Sequence, residues 1–235
     1  MADSMDKLEK YLLEQQDGTS PDNSRLLREV AYERLQDAIL HAGLASGDPL
    51  SETRISKALG ISRTPVREAL QQLAQDGLLQ IIPGRAITVA APSMNEVFDA
   101  LHVRELLETE VVRMAAESMP DHEREILQQL TEKMEEAAKA GQRREWSNFD
   151  IQWHEILCNS CPNHLLGQLT IQARNRLYNR GADEHVTDQF LLHGTLEHKE
   201  IVEAIMNRDG ERARQLMLDH LRNVRENMFK RLGRY

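Results

Sequence analysis

Residues 50–70, LSETRISKALGISRTPVREAL, constrain the fold more than any other stretch of the chain. They form two short helical patterns joined by a turn. In the first pattern, Ile55, Ala58 and Leu59 keep the spacing of one apolar helix face. Gly60 follows directly and supplies the left-handed residue that ends such a helix. The pattern predicts a helix-turn-helix, whose second helix enters the DNA major groove with its N-terminus first.

The second pattern has its own apolar face, made by Val66, Leu70 and Leu73. Thr64 is predicted to be its N-cap, with Pro65 at the first helical position, where a missing N–H costs nothing. The second helix is therefore expected to begin where the turn ends.

Four polar residues at this helix start are the candidate DNA contacts. Arg63 and Arg67 are expected on the side away from the core, where their guanidinium groups can meet phosphates and guanine edges. Ser62 and Thr64 are expected to hydrogen-bond to phosphate.

Two β-rich runs, 78–82 and 86–90, flank Pro83-Gly84-Arg85. They predict a two-stranded hairpin, or wing, with Gly84 and Arg85 at its tip reaching the adjacent DNA backbone or minor groove. The alternative is a surface hairpin with a solvated arginine. The helical patterns that precede it favour the wing.

The sequence SRTPVREALQQLAQDGLL, preceded by GDPLSETRISKALG and followed by the PGR wing, resembles the winged-helix domain of GntR-type transcriptional regulators. The resemblance covers roughly residues 24–92 and implies a DNA-binding regulator. The family often has Glu-Arg-Glu early in the domain's second helix, and its middle arginine touches DNA phosphate. This chain has Glu52-Thr53-Arg54 there, so the basic residue is displaced by one. The sequence leaves open whether Arg54 takes over the phosphate contact.

Composition limits the class of protein. A chain of 235 residues is long enough for two domains, and 40% hydrophobic residues with only 4% aromatics favours helical cores. No apolar run approaches the 18 residues of a membrane span, and the N-terminus is unlike a signal peptide. Two cysteines form no disulfide framework. We therefore expect a cytoplasmic protein with no membrane partner.

The net charge of −9 is distributed unevenly. Residues 1–23 carry −4, residues 24–92 carry +1 and residues 93–235 carry −6. DNA binding requires a local basic face rather than a basic protein. The acidic remainder is expected to restrain non-specific DNA binding, and modest affinity per half-site favours a homodimer.

The part after the wing predicts only helices. Ser93 and Glu96 make a capping box, and the breaks are Pro120, Gly141, Pro162, Gly181 and Gly210. The predicted helices are about 93–118, 121–140, 143–160, 163–180, 187–207 and 209–231. The predicted fold is thus mainly α: an N-terminal winged helix-turn-helix over residues 24–92 and a C-terminal all-α antiparallel bundle of about six helices over residues 93–235. Residues 1–23 are expected to be a mobile N-terminal tail.

Three predicted bundle helices each place a histidine on an apolar stripe. Asp150 and His154 lie one turn apart on the first of them, and His198 and His220 lie on the last two. A buried carboxylate is costly unless it is paired or bound to metal. One Asp and three neutral imidazoles suit a divalent first-row metal such as zinc, nickel or manganese. A single buried histidine usually only makes a hydrogen bond. The prediction of a metal site therefore depends on all four residues together.

The segments NFDIQWHEIL, LEHKEIVEAI and LMLDHL resemble the signatures of the FCD effector domain, which follows the winged helix in the FadR-like branch of the GntR family. The resemblance implies that Asp150, His154, His198 and His220 are the metal ligands. It also implies a small organic acid effector, a homodimer on a palindromic double-stranded DNA operator, and a repressor.

Two arginines are candidate effector ligands. Arg104 either forms a salt bridge with Glu108, one turn on, or clamps an effector carboxylate. Arg174 is a weaker candidate of the same kind. Cys158 and Cys161 form a C-x-x-C pair that is expected to be a coincidence at a helix end, the alternative being a secondary metal or redox role.

Two other interpretations of the Asp/His₃ cluster remain. It could be the centre of a metal-dependent hydrolase or oxygenase, because such a set can generate metal-bound hydroxide. No E-x-x-H or H-E-x-x-H segment occurs in the chain, however, and no catalytic base can be assigned. Alternatively, the metal is purely structural.

Overall fold

A computed structural model describes residues 4–14, 26–178 and 187–232. The chain divides into two compact units. The first holds the described residues up to Ser93 and the segment that starts at Asn175, and the second holds Met94–Arg174 and the described residues from 187 onward. Each unit has its own apolar core. Within the described ranges no helix is both long and apolar enough to cross a membrane.

The first unit contains a winged helix-turn-helix, as predicted. Its helices and strands in chain order are α1 (Ser4–Glu14), α2 (Leu27–His41), β1 (Pro49–Leu50), α3 (Glu52–Leu59), α4 (Arg63–Gln75), β2 (Leu79–Ile82) and β3 (Ala86–Val89). The three strands form an antiparallel sheet in the order β1-β3-β2, with Leu50 opposite Ile87 and Gln80 opposite Thr88. The hairpin predicted from the sequence is therefore β2 and β3, and β1 adds a third strand.

The turn between α3 and α4 shows one confirmed and one wrong prediction. Gly60 ends α3 in the left-handed conformation, with φ of 66°, as expected. Helix α4 begins at Arg63 with the extended Ser62 as its N-cap residue, so Thr64 is not the N-cap. Pro65 still lies in the first turn, where a backbone N–H has no partner within the helix.

Helix α1 corrects the expectation of a mobile tail over residues 1–23. Its residues 4–14 are helical and bury Met5, Leu8 and Leu12 in the core of the first unit. The phenol of Tyr11 donates a hydrogen bond to Asp37 on α2 at 2.8 Å. The amphipathic spacing of the three apolar residues explains this docking, because an isolated helix of this length is only marginally stable in water. Residues 1–3 and 15–23 of the predicted tail lie outside the described residues.

The second unit consists of helices throughout its described residues. They are α5 (Met94–Ser118), α6 (Asp121–Lys139), α7 (Arg143–Asn159), α8 (His164–Tyr178), α9 (Asp188–Met206) and α10 (Gly210–Leu232). The predicted helices match these bounds to within two residues, although Gly181 lies outside the described residues. Helix α9 packs against both α6 and α10, and α6 also packs against α7, so the helices that carry the three histidines share one core.

Helices α7 and α8 approach each other closely at Gly167. A Cβ atom built there would lie well inside van der Waals contact with the carbonyl oxygen of Cys158. Only glycine is accommodated at this crossing without a shift of one helix.

Candidate functional site

Three buried histidines meet in the second unit. His154 comes from α7, His198 from α9 and His220 from α10, and one ring nitrogen of each lies within 4.8 Å of the others. The Nε2 atoms of His154 and His198 are 3.3 Å apart. The core-facing positions of the three predicted stripes therefore bring these imidazoles together.

Two of the rings are oriented by hydrogen bonds at Nδ1. Nδ1 of His198 lies 2.7 Å from the carbonyl oxygen of Gly194, and Nδ1 of His220 lies 2.7 Å from Oε2 of Glu197. A carbonyl oxygen and an ionised carboxylate can only accept, so we assign the proton of each neutral ring to Nδ1. Each Nε2 then carries a lone pair.

The third ring faces a carboxylate in the same way. Nδ1 of His154 lies 3.4 Å from Oε2 of Glu108, and both side chains are almost fully buried. The geometry is too poor for a hydrogen bond, but an acceptor opposite Nδ1 again favours the tautomer with the proton there. Nε2 of His154 then carries the lone pair that faces His198.

Asp150 adds an oxygen ligand to this cluster. Its Oδ1 is 3.2 Å from Nε2 of His198 and 3.6 Å from Nε2 of His154, and its Oδ2 is 3.2 Å from a guanidinium nitrogen of Arg174. Burial opposes its ionisation, but the positive charge of Arg174 favours it, and the pKa of Asp150 is lowered to about 2. Asp150 is thus a carboxylate at neutral pH.

Burial also keeps imidazoles neutral. It lowers the pKa of His154 well below the usual range, and the nearby Arg174 charge lowers it further. The pKa of His220 is lowered by burial even though Glu197 opposes the shift. Neutral rings are the form that binds metal.

The donor set fits a divalent cation. Three lone-pair nitrogens and one carboxylate oxygen converge with no hydrogen donor among them, which is unfavourable unless a cation lies between them. Nitrogens that share one ion at about 2.1 Å are about 3.0–4.2 Å apart, and the Nε2 atoms of His154 and His198 fall in that range. The residues of this cluster are therefore able to hold one first-row ion.

A network of two arginines and a glutamate borders the cluster. Arg104 on α5 donates to Glu108 one turn on, which confirms the salt bridge considered from the sequence. Arg174 donates to both Glu108, at 3.0 Å, and Asp150. Burial opposes the ionisation of Glu108, but the charges of Arg104 and Arg174 outweigh it and lower its pKa. Both candidate effector ligands thus border the histidine cluster.

The C-x-x-C pair lies at the end of α7. Both thiols are buried. Burial raises the pKa of Cys158 to about 12 and also raises the pKa of Cys161. The thiolate is the form that binds metal or reacts, so these cysteines act as apolar core residues at neutral pH.

In the first unit, one carboxylate organises the start of α4. Glu52, at the beginning of α3, accepts from Nε of Arg63 at 2.8 Å and from Nε of Arg67 at 2.9 Å. The hydrogen bond from Arg67 lowers the pKa of Glu52 most, and the bond from Arg63 adds to it. The two arginine side chains remain about 60% exposed, so they present a fixed pair of guanidinium groups to solvent.

The other predicted DNA contacts are exposed as well, with one exception. Ser62 and Thr64 lie in the exposed first turn of α4, and Gly84 and Arg85 lie at the exposed wing tip. Gly84 has φ of 68°, which a tight turn requires. Arg54 differs because its guanidinium group is bound by two carboxylates of α1.

Sequence reasoning does not identify three carboxylates that contact these site residues. Glu108 enters it only as a salt-bridge partner of Arg104, one turn away on the same helix. Glu197 precedes His198 in the sequence, but its contact with His220 depends on how α9 meets α10. Glu52 is eleven residues from Arg63, and only the turn brings them together.

Comparison with known proteins identifies both parts. Residues 27–89 match the family described as bacterial regulatory proteins of the gntR family, and residues 99–223 match the FCD domain. The chain is also 30% identical, over 213 residues, to the HTH-type transcriptional repressor RspR of Escherichia coli K12, with 89% of this chain and 90% of that protein covered. The chain belongs to the GntR family. This GntR-family protein is a DNA-binding transcriptional regulator with an FCD domain, and the alternative of a metal-dependent enzyme is therefore set aside.

Other relatives of this GntR-family regulator have similar coverage. It is 27% identical to the Glc operon transcriptional activator of Escherichia coli K12, with 88% of this chain and 91% of that protein covered, and 27% identical to the HTH-type transcriptional repressor NanR of Cronobacter sakazakii, with 88% and 87% covered. The solved structure of E. coli McbR/YncC superposes with a TM-score of 0.79 at 21% identity, covering 88% of this chain and 99% of that one. A putative GntR regulator from Rhodococcus sp. RHA1 gives 0.73 at 23% identity, covering 88% and 98%. These structures share the fold.

Proposed function

We propose that the FCD unit binds one divalent metal ion, zinc, nickel or manganese, through Asp150, His154, His198 and His220. The observation that carries this proposal is the convergence of three buried ring nitrogens and a carboxylate oxygen. Hydrogen bonds from two rings to Gly194 and Glu197 support it, because they leave the inward nitrogens unprotonated.

We further propose that a small carboxylate effector binds beside the ion. When bound, a divalent ion would offer its remaining positions to an anionic oxygen. Two guanidinium groups and the ion carry four positive charges, against the carboxylates of Glu108, Asp150 and Glu197. One positive charge is left uncompensated in a buried cluster, which favours an anionic ligand. Arg104 and Arg174 would bind the effector's carboxylate by exchanging part of their bonding to Glu108.

In the first unit, we propose that Arg63 and Arg67 read or anchor DNA, and that Ser62 and Thr64 bond phosphate. The wing residues Gly84 and Arg85 would reach the neighbouring backbone or minor groove. Two copies of the chain would place α4 in successive major grooves of a palindromic operator. The exposed guanidinium groups held by Glu52 support this role.

We propose that the regulator is a repressor whose DNA affinity the effector changes. Two of the relatives above carry the name repressor, and one carries the name activator. The effector can shift the regulator's conformational equilibrium only by binding one arrangement more tightly than the other. Expression from a reporter under the regulator's own operator, with and without the gene, decides the direction.

The metal content of untagged protein tests the metal site. Wild type is expected to carry about one ion per chain, and His198→Ala and His220→Ala are expected to lose it. His122→Ala, a highly exposed histidine on α6, is the matched control and should keep the ion. A wild type that takes up no zinc, nickel or manganese would overturn the metal site and leave the DNA-binding function standing.

Asp150→Ala separates an effector site from a purely structural metal. If the metal only stabilises the fold, folded Asp150→Ala protein is still released from DNA by the same carboxylate effector that releases wild type. The proposal expects the response to disappear while the circular dichroism spectrum stays that of a folded helical protein.

Arg67→Ala tests the recognition helix. We expect a large loss of affinity for a duplex selected by the wild-type protein from a random library, because an arginine–base contact contributes about 1–3 kcal/mol. Arg222→Ala on α10, also about half exposed, removes the same charge elsewhere and should change little. Unchanged affinity in Arg67→Ala would remove α4 from the DNA interface.

A further inference from the structure

A cluster of one guanidinium group and two carboxylates joins α1 to Arg54 in the first unit. Glu9 accepts from Nε of Arg54 at 2.7 Å and from its terminal nitrogen at 2.8 Å, and Asp6 accepts from the same terminal nitrogen at 2.7 Å. The Glu9 contact is bidentate, which is the strongest geometry for a guanidinium–carboxylate pair. Arg54 is 37% exposed at its side chain, so the contact lies at the surface.

The two acids are held there by the packing of their helix. Leu8 and Leu12 are almost completely buried, and Met5 is buried beside them. Nζ of Lys7 also donates to the carbonyl of Gly43. The docked helix therefore holds the carboxylates of Asp6 and Glu9 in place opposite Arg54.

Arg54 lies in the first turn of α3, the end of the helix that we expect to face DNA. It is the third residue of α3, two residues after Glu52, which binds Arg63 and Arg67 of α4. Long side chains on a helix point back toward its N-terminus, and the first helix of a helix-turn-helix meets the DNA backbone. The guanidinium group can therefore donate its hydrogen bonds either to the carboxylates of α1 or to a DNA phosphate, but it cannot make all of these bonds at once.

We propose that α1 is a built-in competitor for DNA, in which Asp6 and Glu9 occupy Arg54 in the free protein and a DNA phosphate displaces them. Two carboxylates face one guanidinium group, so these three side chains together carry a negative charge, which opposes the approach of phosphate. Because DNA must displace these carboxylates from Arg54, the docked α1 lowers the DNA affinity of the regulator. The affinity therefore depends on whether α1 is docked. Anything that binds or removes residues 4–14 would then raise it.

The test uses the full chain with Asp6→Asn and Glu9→Gln combined. This variant keeps the apolar face of α1, so the helix should remain docked. Binding to a duplex selected from a random library by the wild type is measured over a series of salt concentrations. We expect about two- to tenfold tighter binding, because DNA no longer has to displace the two carboxylates. This gain should shrink as the salt concentration rises, because salt screens the ion pair that wild type must break.

Two further variants separate this contact from a general charge effect. Glu14→Gln removes a charge from the same helix, where its partner is Lys10, and should raise affinity much less. In an Arg54→Gln background the Asp6→Asn/Glu9→Gln change should have no more effect than Glu14→Gln. The proposal is overturned if the double variant binds no tighter than wild type. It is equally overturned if the gain persists without Arg54.

Discussion

Oε2 of Glu197 lies 2.7 Å from Nδ1 of His220, so a carboxylate on α9 fixes the ring orientation of a histidine on α10. Oε1 of the same carboxylate accepts from Asn223 at 2.6 Å. Burial opposes the ionisation of Glu197, but the hydrogen bond from His220 outweighs it and lowers the pKa. Glu197 is thus an ionised residue that positions the His220 ring with Nε2 unprotonated, which is the form that the proposed metal site requires.

Replacing this carboxylate should weaken metal binding without unfolding the protein. We expect Glu197→Ala to lower metal affinity about 10- to 100-fold, and Glu197→Gln to lower it less, because the amide oxygen can still accept from Nδ1. Titration against a chromophoric chelator measures both. Glu200→Gln, an exposed acid on the same helix, controls for loss of charge, and equal affinities in all four proteins would contradict the positioning role.

Removal of the metal should lower thermal stability. An ion bound only by the folded state at one hundred times its dissociation constant stabilises that state by about 2.7 kcal/mol. Differential scanning calorimetry before and after treatment with a chelator should therefore show a lower unfolding temperature for wild type. The His198→Ala variant should show no shift, and an equal shift in that variant would mean that the chelator acts elsewhere.

Arg124 should be a main determinant of stability in the second unit. It is 1% exposed, and its guanidinium group donates to the backbone carbonyls of Met119, Ala116 and Ile205. Arg124→Met leaves these carbonyls without their donor, so we expect a loss of about 2–4 kcal/mol in the free energy of unfolding. Urea denaturation measures this loss, and Arg222→Met should change it by less than about 0.5 kcal/mol.

The stability of the first unit should depend on pH through Glu52. Its pKa is lowered in the folded protein from the ordinary value of 4.5, first by the hydrogen bond from Arg67. A lowered carboxyl pKa stabilises the folded state fully above the unfolded pKa, and this stabilisation is lost as pH falls through the folded pKa. The stability difference between wild type and Glu52→Gln should thus be constant near pH 7 and shrink below about pH 4.5.

Chemical denaturation followed at several pH values between 3 and 7 measures this difference. Glu68→Gln, an exposed acid on α4, should give no comparable pH dependence. A difference that stays constant down to pH 3 would show that the Glu52 contacts do not stabilise the folded unit.

The sequence was most informative where the relevant spacing is local. Gly60 and the runs around Gly84 predicted the turn and the wing, and the stripes containing His154, His198 and His220 predicted which faces of three helices are buried. Periodicity specifies such faces because each depends only on residues within the same helix.

The sequence was less informative where distant segments meet. The docking of α1 depends on Met5, Leu8 and Leu12 finding a complementary surface, which a short amphipathic pattern does not specify. The pairing of Glu197 with His220 depends on the register between two helices. The start of α4 at Arg63 rather than after Thr64 reflects the low accuracy with which helix ends can be assigned.

The close crossing at Gly167 gives the second unit a point of mutational sensitivity outside its ligand cluster. Gly167→Ala would push α8 away from the carbonyl of Cys158, and Arg174 lies about two turns further along the same rigid helix. A displacement there would be transmitted to the bonds that Arg174 makes with Asp150 and Glu108. A genetic screen for variants that no longer respond to the proposed effector should therefore recover substitutions at residue 167, although this residue lies outside the histidine cluster.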